Sequence, residues 1–143
     1  MIRTLSTGAG FVSLPRRVTL ARLLAFSGGP LDSPSFPDRN LHTDIELAAA
    51  AGHAAPISSG SHAEGFLLQL LVEILGHKWF TSGSLSVSFR GPVVEGDELT
   101  SHALVTDVRT TPDGWSCKMD VWCENQRGDR PLAGSVLISD SNQ

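Results

Sequence analysis

The chain has 143 residues, 41% of them hydrophobic, which predicts one globular domain over residues 1–143 with a single core and no room for a second. Eleven Lys and Arg residues against 15 Asp and Glu residues give a net charge of −4, so the basic field that nucleic acids and anionic lipids require is missing. No apolar run approaches the roughly 20 residues of a membrane span, and residues 1–20 lack the apolar core of a signal peptide. We therefore expect a cytoplasmic protein with neither nucleic-acid nor membrane partners.

The N-terminal part of the chain predicts two short helices around a proline-rich segment. Residues 1–16 are rich in Gly, Ser and Thr and predict a loose arm or one short edge strand. The run TLARLLAFSGG has an N-cap candidate in Thr19, leucines at helical spacing and a glycine stop. Residues 28–40 hold three prolines, which exclude both a helix and a central strand. The pattern TDIE predicts a capping box that begins a second helix at Thr43, and Gly52 ends that helix.

A third, longer helix is predicted for residues 61–76, SHAEGFLLQLLVEILG. Its apolar side chains cover most of the circumference, while His62, Gln69 and Glu73 form a narrow polar stripe at 100° per residue. The segment is too short and too polar for a membrane span. The rest of the chain must therefore enclose it.

Four segments after this helix have the alternation of half-buried strands: SLSVSFR, DELTSHALVTDVR, WSCKMDVWCEN and PLAGSVLIS. The sequence TPDG joins the second and third as a tight hairpin. A long apolar helix followed by four antiparallel strands, each apolar on one face, predicts an α+β fold of the hotdog type, in which a curved sheet wraps the helix. Such a sheet leaves an edge strand unpaired, and we expect a homodimer that joins the two edges.

The two cysteines are predicted to be buried thiols. Cys117 and Cys123 lie six residues apart on one predicted strand, which separates them by roughly 20 Å and prevents a disulfide. Their spacing fits no metal site. Since no phosphate-binding glycine loop, GxSxG elbow or zinc pattern occurs either, we expect no metal and no bound cofactor.

Four short motifs give the chain a family resemblance. Over residues 19–106 it resembles the MaoC-like dehydratases, also called (R)-specific enoyl-CoA hydratases, whose motifs have the form SGDxNPxHxD, IxHG at a helix start, and a GDxL turn. The matching segments are FSG at 26–28, LHTD at 41–44, PISSG at 56–60 and VVEGDELT at 93–100. The resemblance implies a hotdog dimer that adds water to a trans-2-enoyl thioester or removes it from a 3-hydroxyacyl thioester, carried by coenzyme A or a carrier protein.

The chain departs from the family motif at two positions. The family has an Asp five residues before its His, where this chain has Pro37; Asp38 is adjacent, and Asp32 lies further back in an insertion. The family's His before the helix-start Gly is Ser59 here. Transfer of the catalytic Asp to Asp38 therefore assumes a shifted loop.

Hydration of an enoyl thioester needs a group that activates water, a proton donor for the α-carbon and hydrogen-bond donors for the developing enolate oxygen. An imidazole exchanges protons near neutral pH, and a nearby carboxylate sets its tautomer, so we predict that His42 and Asp38 form such a pair with Asn40 orienting the ring. The free amides at the helix start, around Ser59, Gly60 and Ser61, are predicted to hold the thioester oxygen.

Each candidate also has a purely structural interpretation. His42 and Asn40 are suited to fixing a loop, and Asp38 after a proline is a common turn residue. Glu64, in the first turn of the long helix, is favoured there by the helix dipole, yet it is the reserve acid or base because other hotdog enzymes place a carboxylate on this helix. His62 is the alternative substrate-binding residue. Arg16, Arg17, Arg39 and Arg90 are candidates for binding the phosphates of the carrier, and no spacing selects one.

The leading hypothesis is a MaoC-like lyase in which His42 and a loop carboxylate share the acid–base work. One alternative keeps the fold but makes the protein a thioesterase, or an isomerase or cyclase of a biosynthetic pathway, that uses Glu64 or His62. A third hypothesis is a non-catalytic partner subunit of an active hydratase, since a fold alone does not fix function.

Overall fold

A computed structural model of the chain describes residues 5–141. Within this range the chain forms six strands and four helices. In chain order they are β1 (Gly10–Val12), β2 (Arg16–Arg17), α1 (Leu20–Ser27), α2 (Ile45–Ala50), α3 (Gly60–Leu75), α4 (His77–Ser82), β3 (Gly83–Phe89), β4 (Glu98–Thr111), β5 (Gly114–Glu124) and β6 (Leu132–Ser141).

The strands form one antiparallel sheet that is not closed, in the order β1-β4-β5-β6-β3, with β2 also paired to β4. The four strands predicted after the long helix are confirmed as β3 to β6, and Pro112–Asp113 forms the predicted two-residue turn between β4 and β5. A register shift between Val105 and Asp107 interrupts the β4–β5 ladder. Of the predicted N-terminal arm, residues 5–16 include a short edge strand, β1, while residues 1–4 lie outside the described range.

Helix α3 packs against β4 and β5 and supplies much of the core. Leu67 and Leu71 are completely buried, and each contributes roughly 1.5–3 kcal/mol by its removal from water. Burial on most sides confirms the prediction that the sheet encloses this helix. The sheet contributes the apolar faces of its strands, including Leu99, Ala103, Val105, Cys117, Met119, Val121, Cys123, Leu132, Val136 and Ile138.

Both cysteines are free and buried, as the spacing predicted. Burial raises the pKa of the Cys117 and Cys123 thiols, which keeps both protonated and unreactive. No helix among residues 5–141 is long and apolar enough to cross a membrane.

Side chains cap the N-termini of α1, α2 and α3. The Thr19 hydroxyl caps α1, as predicted, and the Ser59 hydroxyl caps α3, each by accepting a backbone N–H three residues on. The prediction that Thr43 caps the second helix is wrong. Asp44 is its N-cap, and the carboxylate accepts the N–H groups of Glu46 and Leu47. Helix α4 was not predicted, because HKWFTS has no helical period of apolar residues.

The turn before β4 is held by a buried carboxylate. Asp97 is 1% exposed and accepts hydrogen bonds from the Val94 N–H at 3.0 Å, the Gln126 amide at 3.0 Å and the Arg127 guanidinium at 2.8 Å. Burial alone would raise the pKa of Asp97, but these donors outweigh it and hold the pKa below the ordinary value. Asp97 of the GD motif therefore fixes this turn through a buried charge that accepts hydrogen bonds from these three donors.

The same turn also anchors the segment that leads into α3. The Ser58 N–H donates to the Val93 carbonyl at 2.7 Å, and the Glu95 N–H donates to the Pro56 carbonyl at 2.8 Å. Ile57 lies between these two hydrogen bonds, opposite Val94. The N–H and carbonyl groups of Ile57 itself therefore face away from the turn before β4.

Removal of the Asp97 charge is predicted to destabilise the protein in a pH-dependent manner. Because the folded-state pKa lies below the unfolded value of about 3.9, the ionised carboxylate stabilises the fold above that pH, and the stabilisation is lost as the pH falls through the folded pKa. Asp97→Asn should lower the urea midpoint at neutral pH, and the gap to wild type should narrow below a pH of about 4. Asp113→Asn, in the exposed β4–β5 turn, is the matched control. A gap that stays constant with pH would contradict the assignment.

Candidate functional site

His42 is held by two hydrogen bonds that fix both its backbone and its ring. Its N–H donates to the Asn40 side-chain oxygen at 2.8 Å, and its ring Nδ1 lies 2.8 Å from the Ile57 carbonyl oxygen. A carbonyl oxygen only accepts, so Nδ1 carries a proton and Nε2 of the neutral ring keeps its lone pair. Within residues 5–141 Nε2 has no hydrogen-bond partner. The half-buried ring thus presents a base.

Ile57 and the His42 loop are joined in both directions. The Ile57 N–H donates to the Leu41 carbonyl at 3.2 Å, while the Ile57 carbonyl accepts from His42. Since the residues on either side of Ile57 are bound to the turn before β4, the carbonyl has a fixed direction. The imidazole is thereby held against the segment that starts α3.

Asn40 and Thr43 form the inner part of the loop. The Asn40 amide donates to the Ser27 carbonyl at 2.9 Å, which ties the loop to the end of α1. The Thr43 hydroxyl accepts the Asn40 N–H at 3.0 Å and donates to the Asp38 carbonyl at 2.6 Å. Asn40 therefore holds the His42 backbone and ties the loop to α1, and it makes no hydrogen bond to the His42 ring among the described residues.

The Asp38 carboxylate does not contact His42. The carboxylate accepts a hydrogen bond from the Ser35 hydroxyl at 2.9 Å, and the backbone N–H of Asp38 donates to the Gly28 carbonyl at 2.8 Å. Gly29 has a φ of +82°, and a Cβ there would lie 2.4 Å from an Asp38 oxygen, so the carboxylate packs against this glycine. Asp32 is exposed and makes no hydrogen bond through its side chain in the described part of the chain.

An ion pair closes the outer side of the same loop. The Arg39 guanidinium lies 2.6 Å from the Asp44 carboxylate, whose pKa falls to about 2 because of Arg39 and of the N–H groups at the start of α2. Arg39 is thus already paired, and it is a weaker candidate for a substrate phosphate than the sequence suggested.

The start of α3 offers free hydrogen-bond donors. The N–H groups of Gly60 and Ser61 have no acceptor among the described residues, and they lie at the positive end of a 16-residue helix. The Phe89 ring lies over Gly60, so close that a Cβ there would be 3.0 Å from it. Only glycine allows this contact without displacing the ring.

A cleft of about 340 Å³ opens at this helix start. Its walls include Ile57, Ser59 and Gly60 from the chain entering α3, and Phe89 from the end of β3. Ile57 lines the cleft and also accepts from His42, so the imidazole is joined to the cleft wall through that one residue, although His42 itself does not line the cleft. The structure thus links the His42 ring to the segment that leads into α3.

His62 and Glu64 lie outside this cleft. The His62 ring is 9% exposed and stacks between Phe26 at 4.7 Å and Phe66 at 5.4 Å, and its buried Nδ1 has no hydrogen-bond partner among the described residues. Burial, assisted by the nearby charge of Arg22, lowers the pKa of His62 and keeps the ring neutral. Glu64 is half-buried and makes no hydrogen bond through its side chain within residues 5–141.

A larger cleft, of about 720 Å³, is at the other end of the core helix. It is lined by residues of α4 and of the β4–β5 turn, among them Lys78, which pairs with Asp140 and lies 5.1 Å from the centre of the Trp115 ring. None of the predicted site residues lines it. We place the functional site at the α3 N-terminus because the base and the free donors are there.

Solved structures share this architecture. A MaoC-like dehydratase from Rhodospirillum rubrum superposes with a TM-score of 0.75 at 24% identity, covering 97% of this chain and 94% of the other. The (R)-hydratase from A. caviae involved in PHA biosynthesis gives 0.69 at 26% identity, with 95% and 97% covered. The chain has the hotdog fold of the MaoC-like dehydratases. The predicted fold is confirmed.

The likeness in fold extends to structures of lower sequence identity. The C-terminally truncated HadBC complex from Mycobacterium tuberculosis, a (3R)-hydroxyacyl-ACP dehydratase, superposes with a TM-score of 0.67 at 16% identity, covering 94% of this chain and 96% of the other. No protein-family model and no curated protein sequence matches the chain.

Sequence reasoning missed two parts of the candidate site. The Ile57 carbonyl, which sets the His42 tautomer, is a backbone group and leaves no trace in residue type. Phe89 is the last residue of a strand whose alternation indicated only a buried face, and nothing in SLSVSFR places its ring over a helix start. The glycine at position 60 was the available indication of a close approach.

Proposed function

We propose that this protein is a hydro-lyase that adds water to a 2-enoyl thioester, or removes water from a 3-hydroxyacyl thioester, carried by coenzyme A or a carrier protein. The observation that carries the proposal is the His42 ring, whose Nδ1 is held by the carbonyl of Ile57, a wall residue of the cleft at the α3 start, so that Nε2 is left as a free base. The likeness to MaoC-like dehydratases and to an (R)-hydratase supports the same reaction class.

In the proposed hydration, water adds to C3 of the enoyl group while His42 Nε2 takes the proton that the water loses. The electron pair of the double bond moves towards the thioester carbonyl, and the enolate oxygen accepts hydrogen bonds from the Gly60 and Ser61 N–H groups. A proton is then delivered to C2, which restores the carbonyl. Dehydration is the same sequence reversed.

The imidazolium formed in the first step stays oriented, because Nδ1 donates to the Ile57 carbonyl in both protonation states. This carbonyl has the orienting role that the sequence analysis gave to a carboxylate. Asp38 remains the candidate for the proton delivered to C2, as the carboxylate next to the family's Asp position in the same loop, and Glu64 remains the reserve.

The thioesterase, isomerase or cyclase alternative relies on Glu64 or His62. The His62 ring is enclosed by two phenylalanines, and Glu64 makes no side-chain hydrogen bond among the described residues, whereas the His42 ring is held through Nδ1 with Nε2 free. Hydration or dehydration is therefore better supported by the geometry.

We also propose that two chains join through β3 into one continuous sheet. Strand β3 is bonded to β6 on one side only within residues 5–141, and Ser84, Ser86 and Ser88 leave its outward face polar and uncovered. Pairing of two such edges removes the unsatisfied backbone groups of both. Sedimentation equilibrium should give a dimer, and a stable monomer at micromolar concentration would contradict this assignment.

A non-catalytic partner role is the second candidate. Pro37 stands at the family's Asp position, and the Asp38 carboxylate binds Ser35 instead of His42, so His42 has no carboxylate partner in the described part of the chain. HadBC is a complex of this fold. Turnover that appears only after a second, different hotdog chain is added would favour this role.

His42→Ala is predicted to lower kcat for hydration of crotonyl-CoA by about 10²- to 10⁴-fold, because it removes the general base. The reaction is followed by the loss of absorbance of the conjugated thioester, and the released product is tested for free thiol to detect hydrolysis. His53→Ala, whose ring lies outside the loop network, is the control and should keep the wild-type rate. Unchanged activity in His42→Ala would remove His42 from the mechanism.

Gly60→Pro is predicted to remove one donor without unfolding α3. Gly60 is the first helical residue, where proline is tolerated, and Ser59 before it has φ −66° and ψ 155°, the conformation that proline requires of its neighbour. Gly60→Ala adds a Cβ against Phe89 but keeps the N–H, so it controls for the steric change. We expect kcat of Gly60→Pro to fall about 10²- to 10³-fold below that of Gly60→Ala. Equal rates would show that this N–H does not bind the oxygen.

A further inference from the structure

A second cleft, of about 370 Å³, adjoins the cleft at the α3 start. Gly91, Pro92 and Pro131 line both. The two clefts thus lie side by side with shared walls, one at the start of α3 and the other at the ends of β3 and β6, and we refer to the pair as the depression. The remaining walls of the second cleft are Arg90, Asn125, Arg127, Asp129 and Arg130.

This second cleft is basic, although the chain as a whole is acidic. Three of the 11 Lys and Arg residues line it, against a single carboxylate, in a chain with a net charge of −4. Arginine suits phosphate groups, because its planar guanidinium donates two parallel hydrogen bonds. The cluster therefore indicates an anionic ligand at this end of the depression.

The three arginines differ in how many donors remain free. Arg127 is neutralised, since it bonds to Asp97 at 2.8 Å and to Asp129 at 3.1 Å. The Arg90 side chain has no hydrogen-bond or ion-pair partner in the part of the chain that the structure describes. Arg130 donates through Nε alone, to Glu124 at 3.3 Å, and leaves both terminal nitrogens free.

Both available arginines are held at a fixed place. The Arg90 N–H donates to the Pro131 carbonyl at 2.7 Å, directly after Phe89, whose ring covers Gly60. The Arg130 guanidinium lies 4.5 Å from the centre of the Trp122 ring, which holds its plane. Two consecutive residues, Phe89 and Arg90, therefore connect the thioester end of the depression with its basic end.

We propose that Arg90 and Arg130 bind a phosphate of the group that carries the acyl chain, while the thioester lies at the α3 N-terminus. The ligand is a phosphorylated pantetheine, present both in coenzyme A and on carrier proteins. This inference rests on the proposed function for the position of the thioester. The phosphate site itself is testable without turnover.

The kinetic test compares two thioesters of the same acyl group. Crotonyl-CoA carries phosphates, and crotonyl-N-acetylcysteamine has the same reacting end without them. Arg90→Gln and Arg130→Gln should each raise KM for crotonyl-CoA about 10- to 100-fold, the range for one charge-assisted hydrogen bond, and leave the constants for the phosphate-free thioester unchanged. Arg109→Gln, which removes an arginine lining the cleft at the other end of α3, is the matched control and should affect neither.

The binding test uses coenzyme A, 4′-phosphopantetheine and pantetheine in calorimetric titrations of the wild-type protein and of Arg90→Gln. Binding of 4′-phosphopantetheine, weakened by the substitution, assigns the site to the phosphate shared by both carriers. Binding of coenzyme A alone, weakened in the same way, assigns it to the nucleotide phosphates. Either result supports the site even if no thioester is turned over, in which case only the proposed function fails.

Three results would overturn the proposal. The first is no binding of either phosphorylated compound. The second is binding that Arg90→Gln and Arg130→Gln leave unchanged. The third is a rise in KM that is equal for both thioesters, since that would place the effect at the reacting end.

Discussion

The site depends on one hydrogen bond, 2.8 Å long, from the His42 imidazole to the Ile57 carbonyl. The bond joins a loop between two short helices to the segment that begins the central helix. It also decides which ring nitrogen is free. Without it the ring would be able to rotate, and the loop would lose its link to the α3 start. The rest of the local structure serves to hold these two partners in place.

Two sets of contacts hold the partners. On the loop side, Asn40 ties His42 to the end of α1, and Thr43 closes the turn. On the other side, the buried Asp97 carboxylate fixes the turn before β4, which in turn pairs with the residues flanking Ile57. A motif at positions 93–100 thus positions a histidine more than fifty residues earlier in the chain. The free N–H groups at the start of α3, which is buried in the sheet, lie at the cleft that Ile57 also lines. The fold thereby brings these two sets of contacts together at one candidate site.

The fold could be predicted from the sequence because the apolar residues recur with the period of a helix or of a strand. The apolar circumference of α3 and the alternation of β3 to β6 have one simple arrangement, a helix enclosed by an antiparallel sheet. The sequence also located His42 beside the α3 start. Prediction from the sequence failed where hydrogen bonds to backbone groups determine the local structure. Thr43 and Asp44 are both good N-cap residues. The Thr43 hydroxyl is used in hydrogen bonds within the loop, to residues 38 and 40, and Asp44 therefore caps the helix. The Ile57 carbonyl, likewise, has no signature in residue type.

The most direct test of this account is the tautomer of His42 in the ligand-free protein, measured by ¹⁵N chemical shifts and ring N–H couplings in histidine-labelled samples, with His42→Gln to assign the signals. We predict that, where the ring is neutral, Nδ1 carries the proton in a hydrogen bond to a carbonyl and Nε2 has the shift of an unprotonated nitrogen. A neutral ring protonated at Nε2 would contradict the account, because the Ile57 carbonyl would then have no donor and the lone pair of Nδ1 would face a carbonyl oxygen.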